Sequence, residues 1–141
     1  MAPTLRGVLE TSLYVRDLEH SRAFYTGLFN LPVLLQDDRF CALNVCGSHV
    51  LLLFRKDASV NPVTTPGGTI PPHGGEGQLH LAFAIGRDEF DAWERRLQSQ
   101  ETPVESRVDW NRGGKSIYFR DPDGHLVELA TPGVWAIYAI Y

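Results

Sequence analysis

The stretch SIYFRDPDGHLVELAT, residues 116–131, decides the fold. At its centre, DPDG at residues 121–124 predicts a tight turn, because proline presets φ at the second position and glycine tolerates a positive φ at the fourth. Strand-type residues flank the turn, so the stretch predicts a β-hairpin. Glu128 lies in the middle of the apolar return strand, where side chains alternate between the two faces. A carboxylate at that position faces solvent or binds a cation, because burying it unpaired is costly.

Length and composition predict one compact domain. With 141 residues, the chain is long enough to bury its own core. Its formal net charge of -4 offers no basic surface for nucleic acid or for an anionic membrane. No apolar run reaches the length of a membrane span, and the first residues, MAPTLRGVLE, lack the apolar core of a signal peptide. We therefore expect a cytoplasmic protein with neither a nucleic-acid nor a membrane partner.

The two cysteines are expected to be free and buried. Cys41 and Cys46 lie in or beside one predicted strand, and their odd spacing directs them to opposite faces. A disulfide between them is therefore disfavoured, which suits a reducing compartment.

The chain repeats one arrangement of elements with a period of about 70 residues, which indicates an internal repeat. The first copy is predicted to contain a strand, a helix opened by Asp17 and three further strands, at residues 7–15, 17–30, 33–36, 40–45 and 50–54. The second copy has the same order, with its helix opened by Asp88 and its strands at residues 78–85, 104–108, 116–120 and 126–131. The predicted fold is α+β, with two βαβββ modules that form a cupped mixed sheet with helices on the outer face.

We expect a single domain over residues 1–141, with module 1 at about 7–55, a linker loop at 56–77, module 2 at about 78–132 and an apolar tail at 133–141. The loop is rich in proline and glycine and is expected to hold neither a helix nor a central strand. A loop of this length is either a lid, a partner-crossing arm or an untethered linker. The tail, VWAIYAIY at 134–141, is expected to cover a sheet edge or a neighbouring subunit.

Three potential metal ligands share one predicted face. Glu10 and His80 occupy the same place in the two repeats, each five residues before the last apolar residue of its opening strand. Glu128 has the same parity in the closing strand, so all three side chains fall on the concave face, opposite the helices. One imidazole and two carboxylates suit a single divalent ion such as Zn, Ni, Mn, Fe or Co.

The sequence resembles the vicinal oxygen chelate superfamily, which includes glyoxalase I, fosfomycin-resistance enzymes, extradiol dioxygenases and bleomycin-resistance proteins. The motifs are LETSLYVRDLEHSRAFY, HLAFAI and SIYFRDPDGHLVEL. The resemblance implies a homodimer with one divalent metal ion per site, held by Glu10, His80 and Glu128, in a glyoxalase-type lyase or isomerase that acts on a small substrate with vicinal oxygens. It also implies that Glu10 or Glu128 is the general base. Leu52 stands where some members have a fourth ligand.

Two alternatives stay open. The first is a small-molecule or antibiotic binding protein without chemistry, although bleomycin-binding members lack the metal ligands that this chain retains. The second is an extradiol-type dioxygenase, but those enzymes have a histidine at the position of Glu10 and another near residues 109–111, where this chain reads DWN. Fosfomycin-resistance enzymes also have a histidine at the Glu10 position, and RGGK at 112–115 replaces their serine loop.

Further residues are expected to line the cup and contact the substrate, namely Ser12, Tyr14, Trp110, Arg112, Ser116 and Tyr118. The remaining histidines are given other roles: His20 and His73 on the surface, and His49 and His125 as structural residues beside turns.

Overall fold

The computed structural model describes residues 1–138 and divides the chain into two compact units, Met1–Glu76 and Gly77–Tyr141. Each unit contains a four-stranded mixed sheet, and each has the order strand, helix, three strands. The predicted α+β fold of two βαβββ modules is confirmed.

The first unit contains the sheet with strand order β1-β4-β3-β2, in which β1 runs parallel to β4. Its elements are β1 Glu10–Val15, α1 Leu18–Phe29, β2 Val33–Gln36, β3 Phe40–Val45 and β4 His49–Arg55. Helix α1 begins as predicted, because the Asp17 carboxylate accepts a hydrogen bond of 3.0 Å from the backbone N–H of His20. It ends at Asn30, whose left-handed φ of 55° turns the chain away from the helix.

The core of the first unit lies between α1 and one face of the sheet. Leu13, Val15 and Leu53 are buried on that face, and Tyr25 and Leu28 of α1 are buried with them. Since side chains alternate along a strand, residues of the opposite parity, which include Glu10 and Tyr14, lie on the other face of the sheet.

The segment after β4 is folded onto the first unit. It contains a hairpin of β5 Val63–Thr65 and β6 Gly68–Ile70, which stands apart from the four-stranded sheet. The expectation that this segment holds no central strand is therefore met, although it is not structureless. Hydrogen bonds attach it near both ends, from Lys56 N–H to the Val15 carbonyl (2.8 Å) and between His73 Nδ1 and the Tyr14 hydroxyl (2.8 Å). Of the alternatives left open, an untethered linker is wrong.

The second unit contains the sheet with strand order β7-β10-β9-β8, in which β7 runs parallel to β10. Its elements are β7 His80–Ala84, α2 Phe90–Ser99, β8 Val104–Asp109, β9 Lys115–Arg120 and β10 Leu126–Ala130. A 3-10 turn, Arg87–Glu89, precedes α2 and contains Asp88. The prediction that Asp88 caps the helix is wrong, because Glu89 occupies the cap and makes no side-chain capping bond.

The predicted hairpin between β9 and β10 is present. Gly124 has a φ of 82°, and its N–H donates to the Asp121 carbonyl at 3.0 Å. The Asp121 carboxylate accepts from the backbone N–H groups of Asp123 and His125, each at 2.9 Å. Buried His125 in turn accepts from the Leu79 N–H at 2.9 Å, which ties the turn to the start of β7. His125 is therefore structural, as expected.

Both cysteines are free, but only Cys41 is buried. The expectation of two buried thiols is wrong for Cys46, which follows β3 in an exposed turn. Among residues 1–138, no helix is long and apolar enough to cross a membrane.

Candidate metal centre and substrate pocket

His80 and Glu128 form a close pair on one face of the second sheet. The distance between His80 Nε2 and Glu128 Oε1 is 3.3 Å. The pair forms because β7 and β10 run parallel, with His80 opposite Leu126 and Ala82 opposite Glu128. The imidazole is half exposed, whereas the carboxylate is buried. A buried carboxylate beside an accessible imidazole nitrogen is a suitable place for a cation.

The His80 ring is held by its other nitrogen. His80 Nδ1 lies 3.0 Å from the Leu126 carbonyl oxygen, and since a carbonyl only accepts, Nδ1 carries the proton. Nε2, which faces Glu128, is then free of a proton in the neutral ring and presents a lone pair. The Tyr118 ring stacks beside the imidazole with a centroid distance of 6.4 Å. A histidine whose second nitrogen donates to a carbonyl is typical of metal sites.

A hydrogen-bonded chain behind Glu128 fixes the carboxylate. The Ser116 hydroxyl donates to Glu128 Oε2 at 2.5 Å, and the Trp110 indole N–H donates to the Ser116 oxygen at 2.9 Å. Ser116 is completely buried. Glu128 Oε2 therefore accepts the hydrogen bond from Ser116, while Oε1 lies beside His80 Nε2. The sequence placed Trp110 and Ser116 on the wall of the cup, and the structure links them to Glu128.

Tyr118 lies opposite Glu128 on the neighbouring strand. Burial, reinforced by the negative charge of Glu128, raises the pKa of Tyr118 above its ordinary value. The phenol therefore resists ionisation more strongly than an ordinary tyrosine.

The geometry of the pair fits a shared divalent ion. Two ligand atoms about 2.1 Å from one ion, at tetrahedral or octahedral angles, lie roughly 3.0 to 3.4 Å apart. The separation of 3.3 Å between His80 Nε2 and Glu128 Oε1 falls in that range. Among residues 1–138, no group of three or more His, Cys, Asp or Glu side chains is close enough to hold a metal ion. The structure thus brings together two of the three predicted ligands, and the set of three stays a prediction.

The segment after β10 lies beside Glu128. A pocket of about 180 Å³ has a wall that includes Glu128, Ala82 and Ala130, together with Val134, Trp135, Ile137 and Tyr138 of this segment. The Tyr138 hydroxyl donates to the Ile85 carbonyl at 2.8 Å. The expected apolar tail therefore covers part of its own sheet as far as Tyr138, although Trp135 and Ile137 remain exposed. Residues 139–141 of the tail lie outside the described residues.

Arg112 is exposed in the turn between β8 and β9. Within residues 77–138, its side chain makes no hydrogen bond or ion pair. The structure therefore does not join it to the other predicted substrate-binding residues of its unit, and its role stays a prediction.

The first unit carries a pocket of about 500 Å³ on the sheet face that holds Glu10. Two expected wall residues line it, Ser12 and Tyr14, and the remaining lining residues are Glu10, Arg39, Phe40, Leu52, Phe54, Ile70 and His73. Arg39, Phe40 and Phe54 were not among the predicted site residues. Phe54 pairs with Tyr14 in register and shares its face, a parity that the sequence could have revealed. Nothing local marked Arg39, which precedes β3.

His73 is a wall of this pocket, so the expected surface role is wrong. Its Nδ1 lies 2.8 Å from the Tyr14 hydroxyl, and its ring meets the Phe54 ring edge-on at 4.5 Å. Gly75 packs directly against the Tyr14 ring, where an added Cβ would lie 2.7 Å from a ring carbon. A loop reaches this position only because the backbone approaches the ring without a side chain.

The two units place different residues at equivalent positions of their closing strands. Ser12 pairs with Leu52 in the first sheet, as Ala82 pairs with Glu128 in the second. Leu52 is therefore the counterpart of Glu128, so this place supplies no carboxylate in the first unit.

The sequence profile of the Glyoxalase/Bleomycin resistance protein/Dioxygenase superfamily matches residues 7–129. The chain belongs to this superfamily. The chain is also similar to metallothiol transferase FosB of Lysinibacillus sphaericus, which is 31% identical over 129 residues, 91% of this chain and 84% of the relative. FosB of Staphylococcus saprophyticus is 28% identical over 128 residues, 90% of this chain and 78% of the relative.

Solved structures of the superfamily share the fold. The crystal structure of lactoylglutathione lyase from Agrobacterium tumefaciens has a TM-score of 0.86 and 34% identity, and the match covers 96% of this chain and 100% of that one. The fosfomycin resistance protein FosX from Listeria monocytogenes has a TM-score of 0.68 and 24% identity over 93% of this chain and 97% of its own, which indicates the fold alone.

Proposed function

We propose that this superfamily member is a metal-dependent enzyme of glyoxalase type, a lyase or isomerase that acts on a small substrate with vicinal oxygens. The observation that carries the proposal is the His80–Glu128 pair, with its 3.3 Å separation and its fixed ring and carboxylate. The similarity to lactoylglutathione lyase supports the reaction type.

His80 Nε2 and Glu128 Oε1 would hold the ion, and Glu10 would supply the third ligand, from the same chain or from the partner in a homodimer. The donor set suits Zn, Ni, Mn, Fe or Co. When bound, such an ion would act as a Lewis acid on the substrate oxygens. Ser116 keeps Oε2 engaged, so the Glu128 carboxylate offers one oxygen in a defined direction.

Glu10 is the better candidate for the general base. Both oxygens of Glu128 are engaged, one by Ser116 and one beside His80, which leaves that carboxylate little freedom to move a proton. Glu10 is exposed at the start of β1, and within residues 1–76 its carboxylate accepts no hydrogen bond. In the thiol adduct of a 2-oxoaldehyde, Glu10 would take the proton from the carbon that bears sulfur and deliver it to the adjacent carbonyl carbon. The product is a 2-hydroxy thioester with the same atoms.

A second candidate is thiol transfer, favoured by the 31% identity to metallothiol transferase FosB over most of both chains. In that case a thiol sulfur bonds to a carbon of an epoxide, the carbon–oxygen bond breaks, and the thiol proton ends on the released oxygen. The same pair would hold an ion that binds the epoxide oxygen, so the geometry of His80 and Glu128 does not separate the two reactions.

The test begins with protein purified without chelator. We expect about one transition-metal ion per chain by inductively coupled plasma mass spectrometry. The protein is then supplied with methylglyoxal and either glutathione or cysteine, and thioester formation is followed by absorbance. In parallel, fosfomycin is supplied with the same thiols, and the adduct is measured by mass spectrometry.

Thioester formation that disappears after chelation and returns with added metal supports the lyase. An adduct of fosfomycin without thioester supports the transferase instead. Metal-free protein that binds these compounds without turning them over would overturn both candidates in favour of a binding protein without chemistry.

A further inference from the structure

We propose that the pocket of the first unit binds a flat organic anion, such as an aromatic carboxylate, and that Arg39 recognises its negative charge. The pocket is the 500 Å³ cavity lined by Glu10, Tyr14, Arg39, Phe54 and His73. That this anion is part of the substrate rests on the proposed function, but binding of the anion does not.

The wall of the pocket is aromatic. The Tyr14 and Phe54 rings stack with centroids 6.1 Å apart and an interplanar angle of 27°. The ring centroids of Phe40 and Phe54 are 5.6 Å apart, and the His73 ring contacts the Phe54 ring edge-on. Rings arranged in this way favour a planar apolar group, which gains contact area on binding while few of its bonds lose rotational freedom. The volume lies within the range of small-molecule pockets, about 300 to 1,000 Å³.

Arg39 supplies a positive charge that the first unit does not neutralise. Its guanidinium carbon lies 5.3 Å from the Phe40 ring centroid and 5.8 Å from that of Phe54. Its side chain makes one long hydrogen bond of 3.4 Å to the Ser59 hydroxyl, and it forms no ion pair with a carboxylate of residues 1–76. A half-buried guanidinium against aromatic rings, with its donors largely unused, matches the two oxygens of a carboxylate.

The remaining titratable groups of the pocket restrict where the anion binds. Glu10 carries a negative charge and would repel an anion, so the charged end of the ligand belongs at Arg39. His73 and Tyr14 hydrogen-bond to each other and present rings rather than net charge in the neutral state. A ligand with its carboxylate at Arg39 would therefore direct its other end towards Glu10, the predicted metal ligand.

The chain builds this pocket with a dedicated segment. The loop that follows β4 brings Ile70 and His73 to the wall, and Gly75 permits its close approach to Tyr14. No part of the predicted metal pair is needed for this construction, because every lining residue belongs to residues 1–76.

The experiment compares two probes with the same ring system. Full-length protein as purified is titrated with 1-naphthoate and with neutral 1-naphthalenemethanol by isothermal titration calorimetry. We expect 1-naphthoate to bind more tightly than the alcohol. Arg39→Met should weaken 1-naphthoate by at least about tenfold and the alcohol by less than about twofold, because the variant loses charge-assisted hydrogen bonds but keeps apolar contacts.

Matched variants control for charge and for folding. Arg107→Gln removes an exposed arginine that pairs with Glu94 outside this pocket and should leave both affinities unchanged. Arg39→Lys keeps the charge without the planar fork and should lose less 1-naphthoate affinity than Arg39→Met. Equal affinity of wild-type protein for the two probes, or equal losses in Arg39→Met and Arg107→Gln, would overturn the proposal.

The same titrations separate this inference from the proposed function. Glu128→Gln and chelated wild-type protein should bind 1-naphthoate within about twofold of untreated protein, since the pocket does not use the metal pair. If wild-type protein contains no metal but retains its Arg39-dependent preference, the proposed function fails and the anion site stands. If wild-type protein contains its full metal content but shows no Arg39-dependent preference, the anion-site proposal fails and the proposed function stands.

Discussion

The two sheets have the same register but different chemistry on the face that turns away from the helix-packed core. The positions correspond pair by pair: Glu10 to His80, Ser12 to Ala82, Tyr14 to Ala84, Leu52 to Glu128 and Phe54 to Ala130. In the second sheet, small alanines surround an imidazole and a buried carboxylate. In the first, aromatic and aliphatic side chains surround a pocket with Arg39 at its wall.

This difference shows how a repeated scaffold separates two tasks. The backbone of both copies places side chains at equivalent points, so specialisation requires only substitution on one face. We infer that the second copy supplies two of the three metal ligands, and that the first copy supplies Glu10 and recognises the organic part of the ligand. Each face is also bordered by the segment that follows its own sheet, the loop with His73 in the first unit and residues 134–138 in the second.

The largest expected effect comes from placing a glutamine at Glu128 and, for comparison, at the equivalent position of the first sheet, Leu52. Glu128→Gln should reduce bound metal by at least about tenfold, because it replaces a charged ligand with a neutral one. Leu52→Gln, its counterpart in the first sheet, should retain full metal content by mass spectrometry. If both variants keep their metal, or both lose it, the proposed division between the sheets is wrong.

Coexpression of two variants tests whether Glu10 is a metal ligand and which protomer supplies it. Glu10→Gln and His80→Ala should each lose metal when purified alone. If each site combines Glu10 of one protomer with the His80–Glu128 pair of the other, coexpressing the two variants restores about a quarter of the wild-type sites, since half of the dimers are mixed and each mixed dimer has one intact site. Sites built within one chain restore none. Retention of all metal in Glu10→Gln would remove Glu10 from the ligand set.

A smaller effect is expected behind Glu128. Ser116→Ala should weaken metal affinity by about tenfold to a hundredfold, because the carboxylate loses the partner that orients it. It should also lower the free energy of unfolding by about 1–3 kcal/mol, since a buried oxygen is left unsatisfied. Chelator competition and urea unfolding measure the two effects.

Two further variants serve as controls for Ser116→Ala. Trp110→Phe removes only the outer hydrogen bond and should weaken metal binding less than Ser116→Ala. Ser106→Ala changes an exposed serine on neighbouring β8 and should change neither quantity. Unchanged metal affinity in Ser116→Ala would show that the serine does not position Glu128.

The smallest effect concerns a thiol on the helix side of the first sheet. Burial raises the pKa of Cys41 above its ordinary value of 9.0, whereas Cys46 is exposed. Iodoacetamide at about pH 8 should therefore label Cys46 alone in the folded protein and both cysteines in urea, as counted by mass spectrometry. Chelation should not expose Cys41, because its side chain lies on the helix-packed face of the first sheet, opposite the face of Glu10. Rapid labelling of Cys41 after chelation would contradict that placement.

The same thiol predicts a pH dependence of stability. Because the folded pKa is raised, the folded protein keeps the Cys41 proton where the unfolded chain releases it. The stability contributed by this thiol is therefore complete below pH 9.0 and is lost as the pH rises through the folded pKa. Cys41→Ala should remove this alkaline loss in urea unfolding measured across that range, and an identical loss in the variant would contradict it.

The sequence by itself determined the repeat, the hairpin turn and the parity of Glu10, His80 and Glu128. These are local properties, because alternation along a strand and the φ preferences of proline and glycine act over a few residues. The same alternation placed Ser12 and Tyr14 on the face where the structure has them. The place of Leu52 came from the family resemblance, and the strand register makes it the counterpart of Glu128.

Only the tertiary structure decided which groups meet. The bond from Ser116 to Glu128 joins two strands, and the contact of His73 with Tyr14 spans 59 positions of the chain. Such contacts depend on long-range packing and on the path of a loop, for which no local propensity exists. For the same reason, the sequence assigned His73 to the surface and overlooked Arg39, whose pocket exists only when strands and loop are assembled.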